Sequence, residues 1–140
     1  VSDFQQYSLT DYASNVPEIH SPEHLLERLS LLPELPSAFF CANDRIAIAM
    51  LNALHRRGLR VPDDISLVGF DNQADVHMMV PSLTTVNVSR RATGRRALEM
   101  LIDALNGKHP EPACLRLYTN LVKRDSVAAP PGVNRGSSNR

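Results

Sequence analysis

Tryptophan is absent from the 140 residues, and only seven aromatic rings occur, four Phe and three Tyr. Net charge is absent too, because 15 Lys and Arg balance 15 Asp and Glu. A self-contained nucleic-acid binder carries a basic balance, so this chain is not expected to hold DNA directly. Apolar stretches are broken by charge well before the ~20 residues that span a bilayer. The start VSDFQQYS has neither basic residues nor an apolar core, so no signal peptide is expected. Val1 stands where a translation start would place methionine, and an upstream segment is expected from that. The six glycines are scattered, which leaves no phosphate-cradling loop, and no serine sits in a Gly-x-Ser-x-Gly frame. Cys41 and Cys114 form no short-spaced motif and read as buried thiols of a reducing compartment rather than a disulfide. His20 and His24 are four apart, but Ser21-Pro22 puts a helix start between them, which spoils a metal pair. No metal, cofactor or catalytic set is expected.

What is present fits one domain, since a single core typically takes roughly 100–150 residues and 43% of these are apolar. Charge is uneven: residues 1–36 hold one base against six acids, and residues 88–127 eight bases against four acids. A short helix opens at Ser21 with Pro22 at its first position, places Leu25, Leu26 and Leu29 on one face, and stops at Pro33. Ser37 to Cys41 reads as a strand. Asn43 or Asp44 then caps a helix running to Arg57, with Ala47, Met50, Leu51 and Leu54 inward and Gly58 as its left-handed end. Ile65 to Phe70 is a second strand, Leu83 to Val86 a third, Ser89 to Asn106 a second long helix, and Leu115 to Lys123 a final extended segment. The tail 128–140 is too polar to repay its ordering entropy and is expected to be disordered.

Strand, helix, strand in that order makes a right-handed parallel βαβ unit. Both strands then point the same way, and their C-terminal ends, Asn43-Asp44 and Asp71-Asn72, emerge on one edge. Ligands of open α/β sheets bind outside that edge. Asn43, Asp44 and Asp71 offer hydrogen-bonding groups with no nucleophile–base pair, which suits recognition of hydroxyls better than catalysis. The plainer reading makes Asn43 or Asp44 a helix cap and Asp71 a turn former. Arg90, Arg91, Arg95 and Arg96 crowd the first half of a helix, where the macrodipole disfavours cations. They form a solvated face, or Arg90 meets an anionic ligand group, or the cluster pairs with the acidic first third.

Five stretches in order carry a family resemblance: 35–44 (LPSAFFCAND), 58–71 (GLRVPDDISLVGFD), 81–86 (PSLTTV), 94–97 (GRRA) and 121–126 (LVKRDS). Together they resemble the C-terminal half of the effector domain of lactose/galactose repressor (LacI/GalR) family transcription regulators, over about residues 22–128. The resemblance implies an α/β, periplasmic-binding-protein-like (type I) fold of two lobes around a cleft. It implies that 37–87 and 113–127 form a parallel-sheet C-terminal lobe within a partial effector-binding and dimerisation domain, 1–127. The helix in 88–112 then belongs to a second lobe that is mostly absent from this chain. Asn43 and Asp71 are implied to bind a sugar or sugar-like effector, with Arg90 bordering the cleft. Ile48, Met78, Met79 and Val80 are implied to form a homodimer interface. Asn72 and Val88 stand where many relatives have Asp and Gln, and with so few aromatics any ring stacked on a sugar must come from Phe70 or from outside the chain.

The function implied is effector sensing and dimerisation in a cytoplasmic transcriptional regulator, with operator DNA held through an N-terminal helix-turn-helix outside this chain. A periplasmic sugar-binding protein of a transport system shares the fold and is the competing reading. The ending Leu121-Val122-Lys123-Arg124-Asp125-Ser126 resembles repressors more than transport proteins, and an enzyme is the weakest reading.

Overall fold

The computed structural model describes residues 21–108 and 113–129. Residues 1–20, His20 and most of the acidic first third among them, and the tail from 130 lie outside the described residues. Helix α1 (Pro22–Ser30) starts as its local chemistry dictates. The Ser21 hydroxyl accepts from the His24 N–H at 3.5 Å, and Pro22 fills a first-turn position whose N–H would have no partner. Leu25 and Leu29 of α1 are fully buried.

Strand β1 (Ala38–Phe40) leads into helix α2 (Asp44–Arg56), whose end is a Schellman arrangement. Gly58 takes φ 74°, the Leu59 N–H bonds the Leu54 carbonyl at 3.0 Å, and the Gly58 N–H bonds that of His55 at 3.0 Å. The expected inner face, Ala47, Met50, Leu51 and Leu54, is buried in one core with Leu25, Leu29 and Leu67. Strand β2 (Ser66–Phe70), strand β3 (Thr84–Asn87), helix α3 (Arg90–Leu105) and strand β4 (Asn120–Val122) follow. The sheet order is β1-β2-β3-β4, with β1, β2 and β3 mutually parallel.

β4 runs antiparallel to β3, so the sheet is mixed rather than wholly parallel. The chain leaves the sheet at Asn87 and re-enters opposite it at Asn120, on the same rim, so its next strand has to run back. Within the extended segment expected at 115–123, only these three residues pair.

Helix α3 forms where the sequence places it, yet none of its residues is buried. Leu98, Leu101 and Leu105, which repeat with helical spacing along α3, are 57%, 56% and 79% exposed. Arg95 and Arg96 meet Glu99 of their own helix at 4.0 and 2.8 Å. Both free cysteines are described, Cys41 buried and Cys114 exposed, so only the first is the buried thiol expected.

The segment after β4 laces the starts of β2 and β3 together. The Ser126 hydroxyl accepts from the Thr84 N–H at 2.8 Å and donates to the Leu67 carbonyl at 2.6 Å, while its own carbonyl takes the Leu67 N–H at 2.8 Å. Ala128, which the sequence assigns to the disordered tail, exchanges two hydrogen bonds with the Ser66 hydroxyl. The folded chain therefore reaches past 127. Ser126 is 1% exposed, so Ser126→Ala strands a buried N–H and a buried carbonyl. Urea denaturation should show a loss of about 2–4 kcal/mol, and an unchanged midpoint would contradict this lacing.

Candidate functional site

Because β1 and β2 are adjacent and parallel, the residues after each lie side by side on one rim. Asn43 follows β1 and Asp71 follows β2, the juxtaposition expected from the sequence. Asn43 adopts extended backbone, and its Oδ1 accepts the Ile46 N–H at 2.9 Å, so it is the cap of α2. Capping uses only the oxygen. Its Nδ2 donors have no partner among the described residues.

Asp44 plays a part that the sequence did not disclose. It is fully buried, with Oδ1 accepting from the Thr85 hydroxyl at 2.6 Å and Oδ2 from the Gln73 N–H at 2.7 Å. One carboxyl group thus ties the first turn of α2 to β3 and to the loop after β2. A buried carboxyl left unbonded would cost several kcal/mol, so both bonds are needed. Space for it exists because residue 69 is glycine: a Cβ there would overlap the Asp44 carboxyl and the Leu83 side chain. Of the three polar residues singled out, Asp44 faces the core. Only the Gly69-Phe70-Asp71 context and the Thr84-Thr85 pair hint at it, and neither is a local signal.

Asp71 stands at φ 103° and Asn72 at φ 50°, a turn in the left-handed half of backbone space. The Asp71 N–H bonds the Val86 carbonyl at 2.9 Å, which keeps the rim closed onto β3. The Asp71 side chain is half-buried and has no partner among the described residues. Asn72 is engaged, its Nδ2 donating to Asn87 Oδ1 at 3.1 Å and its Oδ1 accepting from Arg124 Nη2 at 2.7 Å.

The remaining candidates separate from this pair. Arg90 is exposed in the first turn of α3. A depression of about 370 Å³ beside it is lined by Ser89, Arg91, Ala92 and Arg95 and shares no residue with the rim. Ile48 and Met79 are partly buried against the core, whereas Met78 and Val80 are 70% and 86% exposed. Phe70 is half-buried at the end of β2. Burial, with the Asp44 charge as a lesser cause, pushes the Cys41 thiol up to about 12, so it stays protonated and unreactive. Among the described residues no three His, Cys, Asp or Glu gather as metal ligands. None of their helices is long and apolar enough to cross a membrane.

Residues 5–127 match the family described as a periplasmic binding protein-like domain. The HTH-type transcriptional repressor PurR of Escherichia coli is 35% identical over 114 residues, covering 81% of this chain and 33% of the relative. The chain thus spans about a third of the curated relatives it matches. The lac repressor dimer bound to operator and the anti-inducer ONPF superposes with TM-score 0.70 at 30% identity, over 77% of this chain and 37% of that one. The transcriptional regulator CelR in complex with cellobiose gives TM-score 0.66 at 32% identity, over 77% of this chain and 32% of that one. The chain belongs to the periplasmic-binding-protein-like domain family, on the branch that includes the LacI-type transcriptional regulators.

Proposed function

We propose that this chain senses a small-molecule effector and dimerises within a cytoplasmic, DNA-binding transcriptional regulator. One observation carries the reading. Two adjacent parallel strands end in side chains with uncommitted groups, the Asn43 amide donors and the Asp71 carboxyl, while Asp44, next to Asn43 in the chain, is fully used in holding the rim together. Fixed donors and acceptors at the C-terminal ends of parallel strands suit a polyhydroxylated ligand. A solved LacI-family regulator from Enterococcus faecium carries bound ribose, and the CelR complex carries cellobiose, which supports a sugar or sugar derivative here. Arg90 borders the cleft in this reading, and its charge suits an acidic or phosphorylated sugar.

The relatives are repressors, which favours regulation over sugar transport and over catalysis. Operator DNA is held by a helix-turn-helix outside these residues. Effector binding shifts the balance between two arrangements of the lobes and so alters operator affinity. The homodimer forms through Ile48, Met78, Met79 and Val80, of which Met78 and Val80 are already free to meet a partner. Residues 88–112 belong to a second lobe, in keeping with the absence of any buried residue on α3.

In the intact regulator, a sugar that raises the melting temperature in a screen of sugars and sugar phosphates should bind Asn43→Asp and Asp71→Ala more weakly by about 1–3 kcal/mol. Asn43→Asp keeps the capping oxygen and exchanges the amide donors for a negative charge that a helix start favours, so its stability should change little. Calorimetry with wild-type affinity in both variants would reject the site. The 140-residue chain alone should associate with rising concentration in sedimentation, through Leu98, Leu101 and Leu105. A monomer at every concentration would count against α3 as a detached piece of a second lobe.

A further inference from the structure

Asp71 and Asn72 are the two residues other than glycine with positive φ among the described residues. L side chains disfavour that half of backbone space, and Asp71 at 103° lies well beyond the usual left-handed well. Such a turn persists only where its surroundings over-determine it. The Asp71 side chain itself contributes no bond to that restraint. On the chain's far side the Gln73 N–H is held by Asp44, and the Asn72 N–H reaches Thr85 Oγ1 at 3.4 Å, which is long. The Asp71 N–H is tied to the Val86 carbonyl at 2.9 Å, and the one side chain that grips the turn's own side chains from a distance is Arg124, 52 residues away in sequence, whose Nη2 donates to Asn72 Oδ1 at 2.7 Å.

Arg124 is itself well anchored. Its Nη1 donates to the Leu83 carbonyl at 2.6 Å and its backbone N–H to Thr84 Oγ1 at 2.9 Å. A guanidinium can only donate, so it dictates that the Asn72 oxygen faces it and the Asn72 nitrogen faces Asn87. That nitrogen donates to Asn87 Oδ1 at 3.1 Å, and Asn87 Nδ2 in turn donates to Asn120 Oδ1 at 3.1 Å. Three amides therefore point one way along the rim, from the end of β2 across β3 to β4, and the charge at their head polarises each bond in the series.

We propose that Arg124 is a positioning residue: by gripping Asn72 and setting the direction of the Asn72–Asn87–Asn120 amide chain, it fixes where the Asp71 carboxyl stands on the rim. The proposal rests on the reading of Asp71 as an effector-binding group, and its test needs no effector, so the two can fail separately. In the 140-residue chain, three-bond HN–Hα couplings and Cα shifts at Asp71 and Asn72, with the side-chain amide shifts of Asn72, Asn87 and Asn120, report the turn and the amide chain directly. Arg124→Met should erase the left-handed signature at both turn residues and collapse the dispersion of all three amides. Asn72→Ala, which leaves Arg124 its bonds to Leu83 and Thr84, should erase the signature at Asp71 while costing less thermal stability, and it decides the matter if Arg124→Met does not fold. A lowered melting temperature with the Asp71 coupling and shift at their wild-type values would show Arg124 to be scaffold only and overturn the proposal.

Discussion

The carboxyl group of Asp44 holds the rest of the rim in place. It sits in the first turn of α2, where the helix dipole favours negative charge, and it is removed from water altogether. Its two oxygens take one bond from a strand and one from a loop, so helix, sheet and turn cannot shift independently. The glycine at 69 is the other half of this constraint, because the carboxyl occupies the volume a side chain would need. Asn43 can leave its amide nitrogen free, and Asp71 its carboxyl, because their neighbours supply the structural bonds. Adjacent residues thus divide the labour: Asn43 caps and faces outward, Asp44 turns inward and staples.

A second lattice of polar contacts closes the other side of the sheet. Ser126 satisfies a backbone donor on β3 and a backbone acceptor on β2 with one hydroxyl, and Arg124 reaches over β3 to the turn after β2. β4 is only three residues long, so these side chains add to its few backbone bonds in fastening the end of the chain to the core. Helix α3, which lies between β3 and β4 in the chain, shares in none of this. Its leucines repeat with helical spacing and still face solvent, in contrast to Leu25, Leu29, Leu51 and Leu54 of the two packed helices.

Local chemistry made the helices legible in the sequence. Ser21-Pro22, Asn43 and Gly58 are caps and stops whose partners lie within a few residues, and the buried faces of α1 and α2 follow from spacing. The parallel pairing of β1 and β2, and with it the meeting of Asn43 and Asp71, followed from the order of elements. Asp44 with Thr85, Asn72 with Arg124 and Ser126 with Thr84 were not legible, because each pair is separated by 41 to 52 residues and no periodicity links its members. The antiparallel turn of β4 was hidden for the same reason: it depends on where the excursion through α3 re-enters the sheet. The helical spacing of Leu98, Leu101 and Leu105 is plain in the sequence, but spacing cannot say whether a partner is at hand.

The rim depends on the coupling between Asp44 and Thr85. A double-mutant cycle of Asp44→Ala and Thr85→Val, followed by urea denaturation of the chain, measures that coupling while cancelling what each substitution does alone. Residues in one buried hydrogen-bond network typically couple by roughly 0.5–3 kcal/mol, and the structure predicts a value of at least about 1 kcal/mol here. Additivity of the two single losses to within ~0.3 kcal/mol would show that the carboxyl does not hold β3 to α2, and the rim would need another keystone.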